Sequence, residues 1–157
     1  CHQMQVKVNG TPVSGAVKTD KGYWMIQRSW KSGDTVSCEM EMEPERVYAH
    51  PMVRADAGCV ALRRGPIIYT FEGVDNGEDL QTLRIPREAK IEALPYQADL
   101  LEGIVALRVT GCRKKAAVNP ALYAEDVAPE EMVTLQAIPY YAWCNRGMTH
   151  MRVWMQE

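Results

Sequence analysis

The chain has 157 residues, 46% apolar and 24% charged, with a net charge of −2. That balance belongs to a globular protein and excludes a binder of phosphate backbones; no run approaches the ~18 apolar residues of a membrane span. Neither nucleic acid nor a membrane is therefore an expected partner. A globule of this length would bury roughly 68–70% of its unfolded surface, enough for a true core.

The opening Cys1-His2-Gln3-Met4 has neither the charged n-region nor the apolar h-region of a signal peptide. It reads as an internal start, with any targeting signal upstream. Val6 and Val8 then share a strand face and run into Asn9-Gly10, the strongest local hairpin signal, because both turn residues take positive φ. Lys21-Gly22 and Ser32-Gly33-Asp34 bound a strand from Tyr23 to Trp30, on which Trp24, Ile26 and Trp30 share a core-like face. Residues 35 to 42 alternate, with Val36, Cys38, Met40 and Met42 on one side and Thr35, Ser37, Glu39 and Glu41 on the other, which predicts a half-buried strand with one wet face. Residues 1–43 thus read as four antiparallel strands, the C-terminal half of an incomplete β-sandwich.

Pro44 and its charged neighbours mark a boundary. Short strands follow at Val47–His50, Cys59–Arg63, Ile67–Glu72, Thr82–Ile85, Lys90–Leu94, Val105–Thr110, Met132–Ile138 and Met151–Gln156. Ile67 to Phe71 lacks alternation and so predicts a strand covered on both faces. Helical turns are expected only at Gln97–Leu101 and Ala121–Val127. The whole predicts an all-β fold: residues 44–157 as an antiparallel, jelly-roll-like β-sandwich, preceded by part of a second one.

Chemistry is sparse. Cys1, Cys38, Cys59, Cys112 and Cys144 are odd in number and widely spaced, which predicts reduced thiols, a cytoplasmic location and small-hydrophobe roles. His2, His50 and His150 are far apart, and no close pair of Cys or His suggests a metal site. His50, beside Pro51, reads as a structural histidine. The acidic residues fall on wet strand faces or in loops, with none in an apolar setting that would raise its pKa for acid catalysis. Gly33, Gly58, Gly65, Gly73 and Gly103 stand singly and form no phosphate loop. Arg113-Lys114-Lys115 reads as a solvated run.

The C-terminal stretch carries more. Tyr140, Tyr141 and Trp143, with Trp154 further on, bring four rings close together, and Asn145-Arg146-Gly147 makes a turn between two strands. Tyr140, Tyr141, Trp143, Asn145 and Arg146 form either a packing surface, within the core or against another domain, or a sugar platform on which rings stack and amides bond hydroxyls.

Several stretches, in this order, resemble the tail of the beta-L-arabinofuranosidases, glycoside hydrolase family 127. They are Val6 to Gly10, Gly22-Tyr23, Trp30 and Gly33-Asp34, then Val47 to Pro51, Arg64-Gly65-Pro66-Ile67-Ile68-Tyr69, Glu72 to Asn76, Ile138 to Trp143 and Asn145-Arg146-Gly147. Cys144 and Met148-Thr149-His150 depart from the small residues expected there. The resemblance implies a parent that hydrolyses L-arabinofuranosyl or related linkages with retention. It also implies a helical-barrel catalytic domain upstream, where a cysteine nucleophile lies near a zinc ion held by further cysteines and a glutamate. No stretch here matches that constellation, so none of those roles passes to the five cysteines. The expectation is a non-catalytic accessory region without its own cofactor, partnered by its parent's catalytic barrel, with carbohydrate binding and homo-oligomerisation left open. The alternative is a stand-alone carbohydrate-binding β-sandwich using the C-terminal aromatics.

Overall fold

The computed structural model describes residues 4–13, 17–19, 21–100, 102–115, 123, 125 and 127–157. It divides into two compact units, Cys1–Met42 and Glu43–Glu157.

The first unit holds β1 (Met4–Val8), β2 (Thr11–Pro12), β3 (Val17–Lys18), β4 (Trp24–Met25) and β5 (Val36–Met40). The hairpin between β1 and β2 forms as the sequence predicts, with Asn9 and Gly10 both at positive φ (51° and 77°). The Asn9 side chain also reaches across: its Oδ1 accepts the Thr35 N–H at 2.9 Å and its Nδ2 donates to Asp34 at 2.8 Å. β5 then pairs antiparallel along the whole of β1, giving the sheet order β2-β1-β5.

Two expectations fail in this unit. The strand expected from Tyr23 to Trp30 shrinks to Trp24–Met25, and its supposed core face is open, with Trp24 42% and Trp30 49% exposed. Arg28 lies instead over the Trp30 ring, 5.2 Å from its centroid. β5 is exposed on both faces rather than one, because it sits at the sheet edge; Val6 and Val8 are buried, while their cross-strand partners Cys38 and Val36 are not. Alternation specifies which side of a strand is apolar, but a second layer is needed to cover it.

The second unit holds β6 (Pro44–Val47), β7 (Cys59–Arg64), β8 (Ile67–Glu72), a helical turn at Gly73–Asn76, β9 (Leu83–Arg84), β10 (Ile91–Ala93), β11 (Leu107–Lys114), β12 (Glu130–Pro139), β13 (Met151–Arg152) and β14 (Met155–Gln156). The fold is all-β, as expected. Pairing runs β13-β8-β12-β11-β9-β14-β7-β6, and β7 also pairs with β8, so the strands from β8 round to β7 close on themselves. All these pairings are antiparallel except that of β14 with β9. The first strand begins at Pro44, earlier than the sequence suggests; at the sheet edge its missing N–H costs nothing. The segment Met151–Gln156 breaks in two, and its halves pair with different strands. Gln97 to Leu100 is not helical, since Gln97 instead bridges to Ile104. The expected turn at Ala121–Val127 lies mostly outside the described residues.

The core fills the inside of the circuit: Val60 and Leu62 from β7, Tyr69 and Phe71 from β8, Leu107 and Val109 from β11, Leu135 and Ala137 from β12, and Met155 from β14. Burying each large side chain contributes roughly 1.5–3 kcal/mol. Period two sends Ala106 and Ile138 to the other side, where they pack with Ile104 and Ala142. β8 is covered on both faces from Tyr69 to Glu72, but the coverage expected from Ile67 onward fails at its start, where Ile68 is exposed and Ile67 half-buried. Polar staples tie the periphery. Arg84 clasps Glu130 through both its oxygens at 2.6–2.9 Å, and this contact holds the Glu130 carboxyl below its usual pKa.

Gly111 marks a close approach of three strands in the second unit. A Cβ built there would lie 2.4 Å from Leu135 Cδ1 and 2.9 Å from the Arg84 carbonyl oxygen, so β11, β12 and β9 pack through the space a side chain would fill. The Gly111→Ala variant should lose about 1–3 kcal/mol of stability from overpacking. Denaturant unfolding checks this, and an unchanged midpoint would refute it.

Candidate functional site

β12 ends at Pro139, and the chain then turns tightly through Tyr140–Ala142, with the Trp143 N–H donating to the Tyr140 carbonyl at 3.2 Å. The returning loop has to take left-handed backbone twice, at Cys144 (φ 64°) and Gly147 (φ 111°). What holds it there is Glu72, at the end of β8 and only 1% exposed. One carboxylate oxygen accepts the Cys144 N–H at 2.7 Å, and the other accepts Arg146 Nη2 at 2.5 Å. Arg146 also grips Asp75 through both terminal nitrogens, at 2.8 and 2.5 Å. These contacts raise the Arg146 pKa, the Asp75 bonds most of all and the Glu72 bond after them, against the opposing pull of burial.

The helical turn after β8 extends the lock. Asn76 Nδ2 donates to the Glu72 and Gln136 carbonyls, its Oδ1 accepts the Gln136 N–H, and Arg113 bonds its carbonyl oxygen. Gly73 N–H donates to the His150 carbonyl at 2.9 Å, and Val74 N–H to the Thr149 hydroxyl at 3.1 Å. A buried carboxylate is where the sequence reading falls short: acidic residues were expected only in wet settings. The spacing of Glu72 and Asp75 before the Asn145-Arg146-Gly147 turn carried no signal that the two stretches meet.

Five residues singled out in the sequence therefore divide into two groups. Arg146 is turned inward onto carboxylates, with its Nε buried as well. Tyr140, Tyr141, Trp143 and Asn145 are exposed. The Tyr140 and Trp143 rings face each other with centroids 6.4 Å apart and planes tilted by 33°. Tyr141, 66% exposed, stands on the wall of a cleft of about 450 Å³, together with Ala142, Asn145 and Glu102. Asn145 Nδ2 donates to the Ala142 carbonyl at 3.1 Å, which fixes the amide. Trp154 lies apart, half-buried in the bend between β13 and β14. Glu102 was not anticipated from sequence.

Elsewhere the candidate chemistry disperses. Cys59 and Cys112 are buried, but Cys38 and Cys144 are exposed, against the expectation of small buried hydrophobes; all four are free thiols. His50 Nδ1 accepts the Met52 N–H at 3.2 Å, a structural bond. Among the described residues no group of three His, Cys, Asp or Glu side chains is placed to hold a metal ion, so these residues do not fit the zinc site that the resemblance implies for the parent. Among the same residues no helix is long and apolar enough to cross a membrane.

Comparison with known proteins turns this β-rich architecture into a family. Residues 44–156 match the glycoside hydrolase family 127 C-terminal domain, and residues 1–42 match the beta-L-arabinofuranosidase, family 127 middle domain. The chain belongs to glycoside hydrolase family 127. It is 36% identical to a non-reducing end beta-L-arabinofuranosidase of Bifidobacterium longum subsp. longum, over 96% of this chain and 23% of that protein. Its structure is similar to a family 127 beta-L-arabinofuranosidase from Geobacillus stearothermophilus, with a TM-score of 0.86 and 45% identity, over 100% of this chain and 25% of the other. A second family 127 beta-arabinofuranosidase aligns with a TM-score of 0.80 and 34% identity, over 98% and 23%. The chain thus spans about a quarter of the length of the relatives it matches.

The Glu72–Arg146 contact should be costly to break from one side only. The Arg146→Met variant leaves Glu72 buried without its cation and should lose about 3 kcal/mol or more. Adding Glu72→Gln should recover part of that loss, because the neutral amide oxygen still accepts the Cys144 N–H. Calorimetric unfolding of the single and double variants decides it, and a double variant no more stable than Arg146→Met would count against the lock.

Proposed function

We propose that this chain is a non-catalytic accessory region of a longer hydrolase acting on beta-L-arabinofuranosides or related sugars, and that it buttresses a helical-barrel catalytic domain. The observation that carries the reading is the open apolar surface of the first unit. Val36 is 47% and Met40 50% exposed, on an edge strand whose outer side has no sheet partner among the described residues. Uncovered apolar faces and free strand edges invite association. In the parent, further strands of the same sandwich and the catalytic barrel would cover them. The same surface would drive self-association of the chain on its own. The scattered cysteines and histidines support placing zinc and the catalytic groups outside the described residues. Four free thiols support a reducing, cytoplasmic setting.

A second reading rests on one specific feature, the cleft beside Tyr141. There the C-terminal aromatics would contact carbohydrate directly.

Two measurements test the principal reading. The purified chain should release no chromophore from a chromogenic beta-L-arabinofuranoside above a matched blank, and turnover would overturn the non-catalytic assignment. Hydrogen exchange should be much faster at the amides of β1 and β5 than at those from Ile67 to Phe71, and should slow when the upstream segment of the parent is restored. Equal, strong protection of both regions in a monodisperse monomer would remove the support for a buttress.

A further inference from the structure

Glu102 occupies an unusual backbone position. The Gly103 N–H donates to the Leu100 carbonyl at 2.9 Å, and Gln97 and Ile104 exchange both backbone bonds at 2.8 and 3.2 Å, which closes a tight turn. Glu102 takes the third place of that turn with φ 61°, where glycine or asparagine is the ordinary choice. Gly103 follows at φ 105°, a backbone conformation that favours glycine, and a Cβ there would meet the Tyr96 hydroxyl oxygen at 1.8 Å unless that ring moved. The chain therefore holds a glutamate against its backbone preference. Its side chain lines the cleft with Tyr141 and Asn145, and among the described residues it has no hydrogen bond or ion pair. Both walls of the cleft are anchored in one buried cluster, through Ile104 below Glu102 and Ala142 beside Tyr141.

Acceptors outweigh donors among the described side chains of the cleft. The Glu102 carboxyl offers acceptors, and Asn145 places one N–H on the Ala142 carbonyl while keeping its Oδ1 and second N–H open. Among the described residues the cleft wall carries an exposed aromatic ring and no cation. A ligand that brings several O–H groups on one side and a C–H face on the other matches these groups. That combination is a saccharide ring with adjacent free hydroxyls.

We propose that Glu102 is the recognition carboxylate of a saccharide-binding cleft, accepting hydrogen bonds from a vicinal diol together with Asn145 Oδ1 while the sugar's apolar face lies on Tyr141. This rests on the second reading above and adds the residues and the feature of the ligand that it selects. The Arg146–Glu72 lock holds the Tyr141 wall in place in advance, which lowers the ordering cost of binding.

The test is a titration of the isotope-labelled 157-residue chain, followed by amide shifts, with arabino-, xylo- and galacto-oligosaccharides and with an O-methylated arabino-oligosaccharide. Saturable shifts at residues 102, 141 and 145 are expected with at least one free oligosaccharide, and not with the methylated one. Tyr141→Ala and Glu102→Ala should each weaken binding about tenfold. Glu102→Gln, which keeps an acceptor, should weaken it less, and Glu88→Gln, outside the cleft, should leave it unchanged. Both target side chains are surface-facing, so an unaltered spectrum elsewhere verifies the fold of each variant. Binding that needs Tyr141 but ignores Glu102 and tolerates methylation would overturn the proposal and leave the simpler platform standing. Absence of saturable binding would overturn both. Saturation of the same signals by arginine methyl ester and by no saccharide would overturn it in favour of a basic protein segment.

Discussion

A carboxylate placed in a dry interior must have both oxygens met, and Glu72 imposes that requirement at the end of β8. Its two partners, the Cys144 N–H and the Arg146 guanidinium, both come from the loop after β12. Meeting the demand therefore decides where that loop runs, which way its aromatic turn faces and how β13 approaches β8. Asp75 and Asn76, on the next helical turn, extend the same network to Arg146 and to β12. Remote segments are thereby held to one end of the core by polar bonds whose geometry tolerates little error.

The core supplies cohesion and the polar network supplies position. Tyr69 illustrates the division, its ring being fully buried in the main cluster while its hydroxyl donates to the Val105 carbonyl at 2.8 Å. Burial raises the pKa of that phenol, although nearby Arg64 pulls the other way. At the opposite rim, Glu157 joins Arg46, Arg87 and Tyr48 and so draws the edge strand β6 towards the C-terminal residues. The Arg87 and Tyr48 bonds keep the Glu157 carboxyl below its usual pKa.

Much of the fold was legible because it follows from period and punctuation. Asn9-Gly10 had to turn, Gly65-Pro66 had to separate two strands, and the run from Ile67 to Phe71 was covered from Tyr69 onward though not at Ile68. What the sequence could not disclose was the second layer. Val36, Cys38, Met40 and Met42 alternate like a half-buried strand whether or not anything covers them, and Trp24 and Trp30 look like core in any context. The site was only half readable for a related reason. Tyr140, Tyr141, Trp143 and Asn145 stand out in composition, whereas Glu102 lies about forty positions away in a stretch that gives no local sign of its left-handed turn. Arg146 was visible as a residue but not as a clasp, since its carboxylate partners are separated from it by most of the second unit.

β14 is only two residues long, yet it lies between β7 and β9. Met155 is fully buried, and Ile85 donates its N–H to the Gln156 carbonyl at 2.8 Å. The seam is thus sealed by residues far along the chain from both strands that it joins. Until β14 docks, β7 and β9 lack their shared neighbour, and both strand edges stay open to wrong partners. Closure by so distant a strand also places the domain among slow, non-local folders. The folding chain would accordingly be most vulnerable just before that short strand docks.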